Sequence, residues 1–151
     1  MPNYQNGKIY CIRSHQSDQI YIGSTTQPLS ARFRNHRAEY RHYLKGKRNR
    51  TSSFDIIKHT DAYIELIELY PCNCKEELLR QEGKFIRKMD CVNKLVAGRT
   101  KREYAIDNKT KIKIQQSEKA KCDLCGCVVL RYGMKRHQKT LKCKEISKIT
   151  V

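Results

Sequence analysis

The sequence predicts a mixed α/β domain of the α+β kind, followed by a small C-terminal module. Three observations carry this prediction. Residues 8–13 and 19–23 are short runs rich in β-branched residues and tyrosine, separated by the polar stretch Ser14 to Asp18, which reads as a hairpin. Two later stretches, Leu29 to Leu44 and Lys75 to Met89, repeat apolar residues at helical spacing. Finally, residues 121–151 hold Cys122, Cys125, Cys127, His137 and Cys143 in a segment too short to build a core of its own.

Taken in order, alternation along the first two strands puts Tyr10 on a face with Lys8 and Ile12, and turns Tyr21 away from Ile20 and Ile22. Thr26-Gln27-Pro28 is a good helix start. After it, Leu29, Phe33, His36, Tyr40 and Leu44 form one stripe with Arg32 at its edge. The run Lys45-Gly46-Lys47-Arg48-Asn49-Arg50 reads as a basic loop, and a short helical piece is expected from Ser53 to His59. Residues 62–69 read as a third strand, although the spacing of their glutamates also suits a helix. From Lys75 to Met89, Leu78, Leu79, Phe85, Ile86 and Met89 share a helical face with Glu82 in its middle. Val92 to Ala97 closes the domain. The expected organisation is therefore a domain at 1–97, a charged connector at 98–120 that is partly helical or flexible, and a module at 121–151.

A chain of 151 residues and 17.8 kDa accommodates one core plus an appendage rather than two ordinary domains. Its net charge of +17, with a pI near 9.7, points to an anionic polymer as partner. No amphipathic anchor or lipidation signal supports a membrane surface instead. The apolar stretches 62–69 and 78–89 are too short or too charged to span a bilayer, and the N-terminus lacks a secretory apolar region. A soluble intracellular protein is expected, nuclear in a eukaryotic host. In such a reducing compartment the eight cysteines stay free or bind metal, and Cys11 and Cys91 read as small apolar filler.

A carboxylate centred in an apolar stripe is costly unless it meets a cation, a metal or a hydrogen-bond network. Glu82 is thus either an inward ion pair, with Arg32 or Arg80, or a functional group. Gly83 beside it suggests close packing or ligand approach. Lys8-Ile9-Tyr10, a spacer, Tyr21-Ile22-Gly23-Ser24-Thr25, Arg32-Phe33-Arg34-Asn35-His36 and then Glu82 and Asn93 together resemble the GIY-YIG endonuclease family over roughly residues 7–97. Lys8 departs from the pattern at the first glycine, with Gly7 one position earlier.

The resemblance implies a small three-stranded antiparallel sheet flanked by helices, and cleavage of a DNA phosphodiester with one divalent metal, Mg²⁺ or Mn²⁺. Glu82 would be the metal ligand. Arg32, always charged and shaped for bidentate phosphate contact, would stabilise the pentavalent transition state. Tyr10 would be the candidate general base, with Tyr21 and His36 orienting water or substrate. A free phenol with a pKa of about 10 is a poor base at neutral pH, so that role needs nearby cations or a metal-bound hydroxide. By itself His36 would be an ordinary core or surface histidine, and its place four residues after Arg32 raises it. Asn93 supports the site by hydrogen bonds or simply ends a turn.

In the tail, Cys122-Asp123-Leu124-Cys125 followed by His137 and Cys143 gives Cys-x₂-Cys-x₁₁-His-x₅-Cys, a spacing suited to tetrahedral Zn²⁺. A knuckle, a hairpin through Val128-Val129-Leu130 and a helix carrying His137 would fold around it. Cys127 is an alternative to Cys122 or Cys125, but Gly126 after the second cysteine suits the knuckle's turn. The stretch resembles a small Cys-Cys-His-Cys zinc finger. Lys135, Arg136, Lys139, Lys142 and Lys144 around its helix suggest phosphate contact, as do Arg34, Arg37, Lys47, Arg48 and Arg50 in the first domain. A purely structural zinc staple is the plainer alternative.

These features point to a metal-dependent DNA endonuclease whose zinc finger aids binding or targeting, of viral or mobile-element type. No small-molecule cofactor is expected. The alternatives are a non-catalytic nucleic-acid-binding regulator on the same scaffold and a branched-DNA or repair nuclease.

Overall fold

In the computed structural model, which describes residues 1–149, the chain divides into one unit from Met1 to Arg99 and a second from Thr100 onward. Thr150 and Val151, the end of the module expected at 121–151, lie outside the described residues.

The first unit is organised around strand β1 (Lys8–Ser14), which pairs antiparallel with β2 (Ser17–Thr25) on one side and β3 (Tyr63–Leu69) on the other. The hairpin turn is tighter than the sequence suggested, because Ser14 and Ser17 already pair as strand residues and leave His15-Gln16 to turn the chain. Residues that also suited a helix, 63–69, form a strand because the edge of β1 offers them a ladder, from Arg13↔Tyr63 to Lys8↔Leu69. The ladder shifts register between Ile9 and Tyr10.

Ile9 to Ile12 are all fully buried, so β1 lacks the apolar and polar alternation of a one-sided sheet. Both faces of the sheet are covered. On one, Ile9, Cys11, Ile20 and Ile22 pack against Leu78 and Ile86 of α3 (Lys75–Lys88). On the other, Tyr10 and Ile12 meet Ile56 and Ile57 of α2 (Phe54–Ile57), with Leu29, Phe33 and Tyr40 of α1 (Leu29–Leu44) alongside. Each fully buried isoleucine contributes about 1.5–3 kcal/mol of hydrophobic stabilisation. Period-two alternation thus sends Tyr10 and Tyr21 to the α1 side and the isoleucines of β2 to the α3 side.

Helix α1 begins at Pro28, whose carbonyl accepts from Arg32 N–H at 3.0 Å, and it ends at Gly46, where φ is +69°. Leu44 in its last turn is exposed although its spacing matched the stripe, since the packed residues stop at Tyr40 and Tyr43, which meet Phe54. In α3, Glu76 and Glu77 occupy the first turn and Arg87 and Lys88 the last, complementing the helix dipole. Gly83 is there for close packing: a Cβ would sit 2.2 Å from the Ala97 carbonyl oxygen, so only glycine lets residues 96–97 cross the helix.

The second unit opens with α4 (Lys101–Asp107), started by a Thr100–Glu103 capping box, and α5 (Lys109–Ser117). A small hairpin of β4 (Lys119–Lys121) and β5 (Val128–Leu130) follows, then α6 (Met134–His137) and α7 (Leu141–Ile149). Its core is little more than Cys122, Cys125 and Cys143 with Cys127, Met134 and Ile146 beside them. Among the described residues no helix is long and apolar enough to cross a membrane.

Candidate active site

Tyr10 is the hub of the first unit's polar cluster. Its ring lies across Gly23, the residue paired with it on β2, so closely that a Cβ at Gly23 would come within 2.5 Å of the phenolic oxygen. That glycine therefore lets the phenol lie flat on the sheet and reach α1. There Arg32 Nε donates to Tyr10 Oη at 3.0 Å, and His36 Nε2 lies 2.8 Å from the same oxygen. Arg32 and His36 are one helical turn apart, so both can address one atom.

Burial sets the electrostatics. It raises the Tyr10 pKa above the ordinary tyrosine value, with Arg32 acting in the opposite sense. Tyr21 is pushed up to about 12, by burial first and by the Glu82 charge second. His36, 1% exposed, is pulled down to about 3 by burial and then by the Arg32 charge, so it is neutral at pH 7. With Arg32 donating to Tyr10 Oη, the phenol's own proton is free to be donated to His36 Nε2. That order puts the imidazole proton on Nδ1, a buried atom with no hydrogen-bond partner among the described residues. Tyr21 packs edge-on against the same imidazole, with ring centroids 5.5 Å apart.

Glu82 reaches the cluster from α3. Its direct partner is neither Arg32 nor Arg80 but Ser24, whose hydroxyl donates to Oε2 at 2.5 Å. Burial raises the Glu82 pKa, while the Ser24 bond and then the Arg32 charge oppose the rise. Ser24 had been part of the motif but not of the expected site. Its signal is weak, a serine on a strand, and its role depends on α3 packing over that end of β2. Tyr10, Tyr21, Arg32, Ser24 and Glu82 line one cleft of about 500 Å³.

Asn93 contacts backbone instead. Its Oδ1 accepts from Ile22 N–H at 2.9 Å and its Nδ2 donates to the Ile22 carbonyl at 2.8 Å, while Val92 N–H donates to the Ile20 carbonyl. The side-chain amide thus mimics a strand on the free edge of β2, between Tyr21 and Gly23. The basic residues expected to meet phosphate are spread differently. Arg34, Arg37, Lys47, Arg48 and Arg50 are exposed. Arg37 stacks over Phe33 and donates to the Thr60 carbonyl, Arg48 pairs with Glu39 at 3.1 Å, and Arg50 pairs with Asp55.

In the second unit, Cys122, Cys125, His137 and Cys143 bring their ligand atoms within 4.8 Å of one another. Cys122 and Cys143 sulfurs are 3.8 Å apart, and Cys125 Sγ lies 3.1 Å from His137 Nε2. Bonds of about 2.3 Å at the tetrahedral angle set neighbouring sulfurs roughly 3.8 Å apart, so the donor set and its size fit a zinc ion. Gly126, with φ of +71°, turns the knuckle and donates its N–H to the Cys122 carbonyl. Cys127 stands beside this group and is not one of the four. Its backbone N–H draws the Cys125 thiol pKa down. Lys135, Arg136 and Lys139 are exposed around α6.

A family model described as the GIY-YIG catalytic domain matches residues 6–95. No curated protein and no solved structure matches the chain.

Proposed function

The chain belongs to the GIY-YIG nuclease family, and from that premise we propose that it is a metal-dependent DNA endonuclease that hydrolyses phosphodiester bonds at the Tyr10–Glu82 cleft. The observation that carries this reading is the joining of Tyr10, Arg32 and His36 through one phenolic oxygen, with Glu82 lining the same cleft.

Each residue has a distinct task. Ser24 occupies Oε2 of Glu82, which leaves Oε1 for a hard divalent cation such as Mg²⁺ or Mn²⁺. A cation held there would neutralise phosphate charge and assist departure of the leaving oxygen. Arg32 spends Nε on Tyr10, so its two terminal amino groups remain for phosphate oxygens in the cleft, where they stabilise the developing charge. Tyr21 lines the same cleft and orients the attacking water. Tyr10 is the general base in this reading: Arg32 Nε and His36 Nε2, the latter at 2.8 Å, hold its oxygen in place, and the neutral imidazole orients the phenol without carrying its proton away. Asn93 positions β2, and with it Tyr21, by clasping Ile22.

We assign Zn²⁺ to Cys122, Cys125, His137 and Cys143, where it folds the tail, and assign DNA affinity to Lys135, Arg136 and Lys139 around it. We read the small finger after the catalytic domain as suited to a viral or mobile-element nuclease. Incubating the full chain with plasmid, branched and single-stranded DNA, with Mg²⁺, Mn²⁺ or chelator, tests the reading. Metal-dependent cleavage of at least one DNA is expected. Binding without cleavage in every metal would instead favour a regulator.

A further inference from the structure

The first unit has a second cleft, of about 450 Å³, that shares Tyr21 and Glu82 with the first. From that shared pair the first cleft leads past Arg32 toward Gln27 and Lys75. The second has Arg50, Thr51, Ser52 and Lys94 in its lining instead, and none of Tyr10, Arg32 or His36. Its walls are fixed. Lys94 N–H donates to Ser52 Oγ at 3.4 Å, Asn93 clasps Ile22, and residues 96–97 cross Gly83. Beyond the shared Tyr21 and Glu82 the lining bears two cations, Arg50 and Lys94, and two hydroxyls, Thr51 and Ser52, and no further carboxylate. Asp55 engages one amino group of Arg50, and the rest of that guanidinium, its side chain 45% exposed, stays available. Exposed Leu95 adds apolar surface suited to a sugar or base. The anions nearby are Glu82, at the end shared with the first cleft, and Asp55, on one amino group of Arg50; the remaining donors are of the kind that recognise phosphate.

We propose that this second cleft is a phosphate subsite for the nucleotide next to the cleaved bond. One DNA strand then runs from the first cleft across Tyr21 and Glu82 into the second, where Lys94 and Arg50 hold the neighbouring phosphate and Thr51 and Ser52 donate to it. The proposal rests on the nuclease reading for the position of the cut. The subsite itself can be read by binding alone.

The test uses the full chain carrying Glu82→Gln, so that DNA is bound and not cut, with and without Lys94→Ala. Affinity for a duplex is measured across a salt series, and phosphate contacts are mapped by ethylation interference. Lys94→Ala is expected to weaken binding about 5–10-fold and to reduce the salt slope by roughly one, as loss of one phosphate contact should. Lys94→Arg should restore both. Interference should vanish at one phosphate, which adjoins the cut site wherever the wild type cuts that duplex. An unchanged salt slope and interference pattern in Lys94→Ala would overturn the subsite, as would loss of interference at phosphates remote from the cut. A wild type that cuts no DNA refutes the nuclease reading separately, and the slope and the lost phosphate contact still decide the subsite.

Discussion

At the residue scale, the site is built from groups that burial holds away from their ordinary ionisation, and two of them leave opposite marks on stability. His36 has a folded pKa near 3 against about 6.5 in the unfolded chain, so below pH 6.5 the unfolded state binds the proton first. Stability attributable to His36 therefore falls as pH drops. Between pH 7 and pH 5 the wild type should lose about 2 kcal/mol more than His36→Gln, measured by denaturant titration at each pH. Glu82 works the other way. Its folded pKa is raised, so as pH climbs past the ordinary carboxylate value near 4.3 the unfolded chain releases the proton first and the folded state loses ground. Glu82→Gln should accordingly melt higher than wild type at pH 7, with the gap closing toward pH 4, while losing metal-dependent activity. A gap independent of pH would mean the carboxylate is not penalised by burial. Glu82 stood out in the sequence because a charge on an apolar stripe needs a reason. Ser24, its partner, did not, since nothing local distinguishes a strand serine that meets α3 from one that meets water.

At the scale of elements, β2 is the edge strand that carries Tyr21, Gly23 and Ser24, and an edge must be held if its side chains are to be precise. Asn93 does this with two hydrogen bonds to one residue. Asn93→Ala should cost about 1–3 kcal/mol and lower the cleavage rate more than it weakens DNA binding, since it loosens Tyr21 without removing a phosphate contact. Hydrogen exchange at Ile22 N–H reports the same event directly, and an unaltered exchange rate would remove the clasp from the account. Most elements were legible from periodicity, because each buries a face with period two or near 3.6. Residues 63–69 form the strand their β-branched and tyrosine-bearing run suggested, but their glutamate spacing left a helix open, because pairing with a strand some fifty positions away, not propensity, decides them. The exposed Leu44 shows the same limit: a stripe records which side of a helix is apolar, not where its neighbour ends.

At the scale of the whole molecule, the charge of +17 announces a polyanionic partner but does not say which cations serve it. Arg37 and Arg48 have partners within the first unit, whereas Arg50, beside its contact with Asp55, and Lys94, unremarkable in sequence, line a cleft. On the zinc reading, the second unit would depend on metal for its fold. Its core of three buried cysteines and few neighbours offers little to offset its own chain entropy, and ligand bonds would supply the rest. A zinc chelator should therefore unfold residues of this unit while leaving the sheet of the first intact, seen as selective loss of amide protection. Retained protection after complete zinc removal would make the cluster dispensable.

The claim that joins these scales is that Glu82 holds the metal for DNA cleavage in the cleft organised by Tyr10. It is tested most directly by incubating plasmid with the full chain and Mg²⁺, comparing wild type with Glu82→Gln at matched DNA occupancy. Nicked or linear product from the wild type, at least a hundredfold less from the variant, and similar DNA affinity for both are the predicted result. Equal cleavage by the two proteins would contradict it.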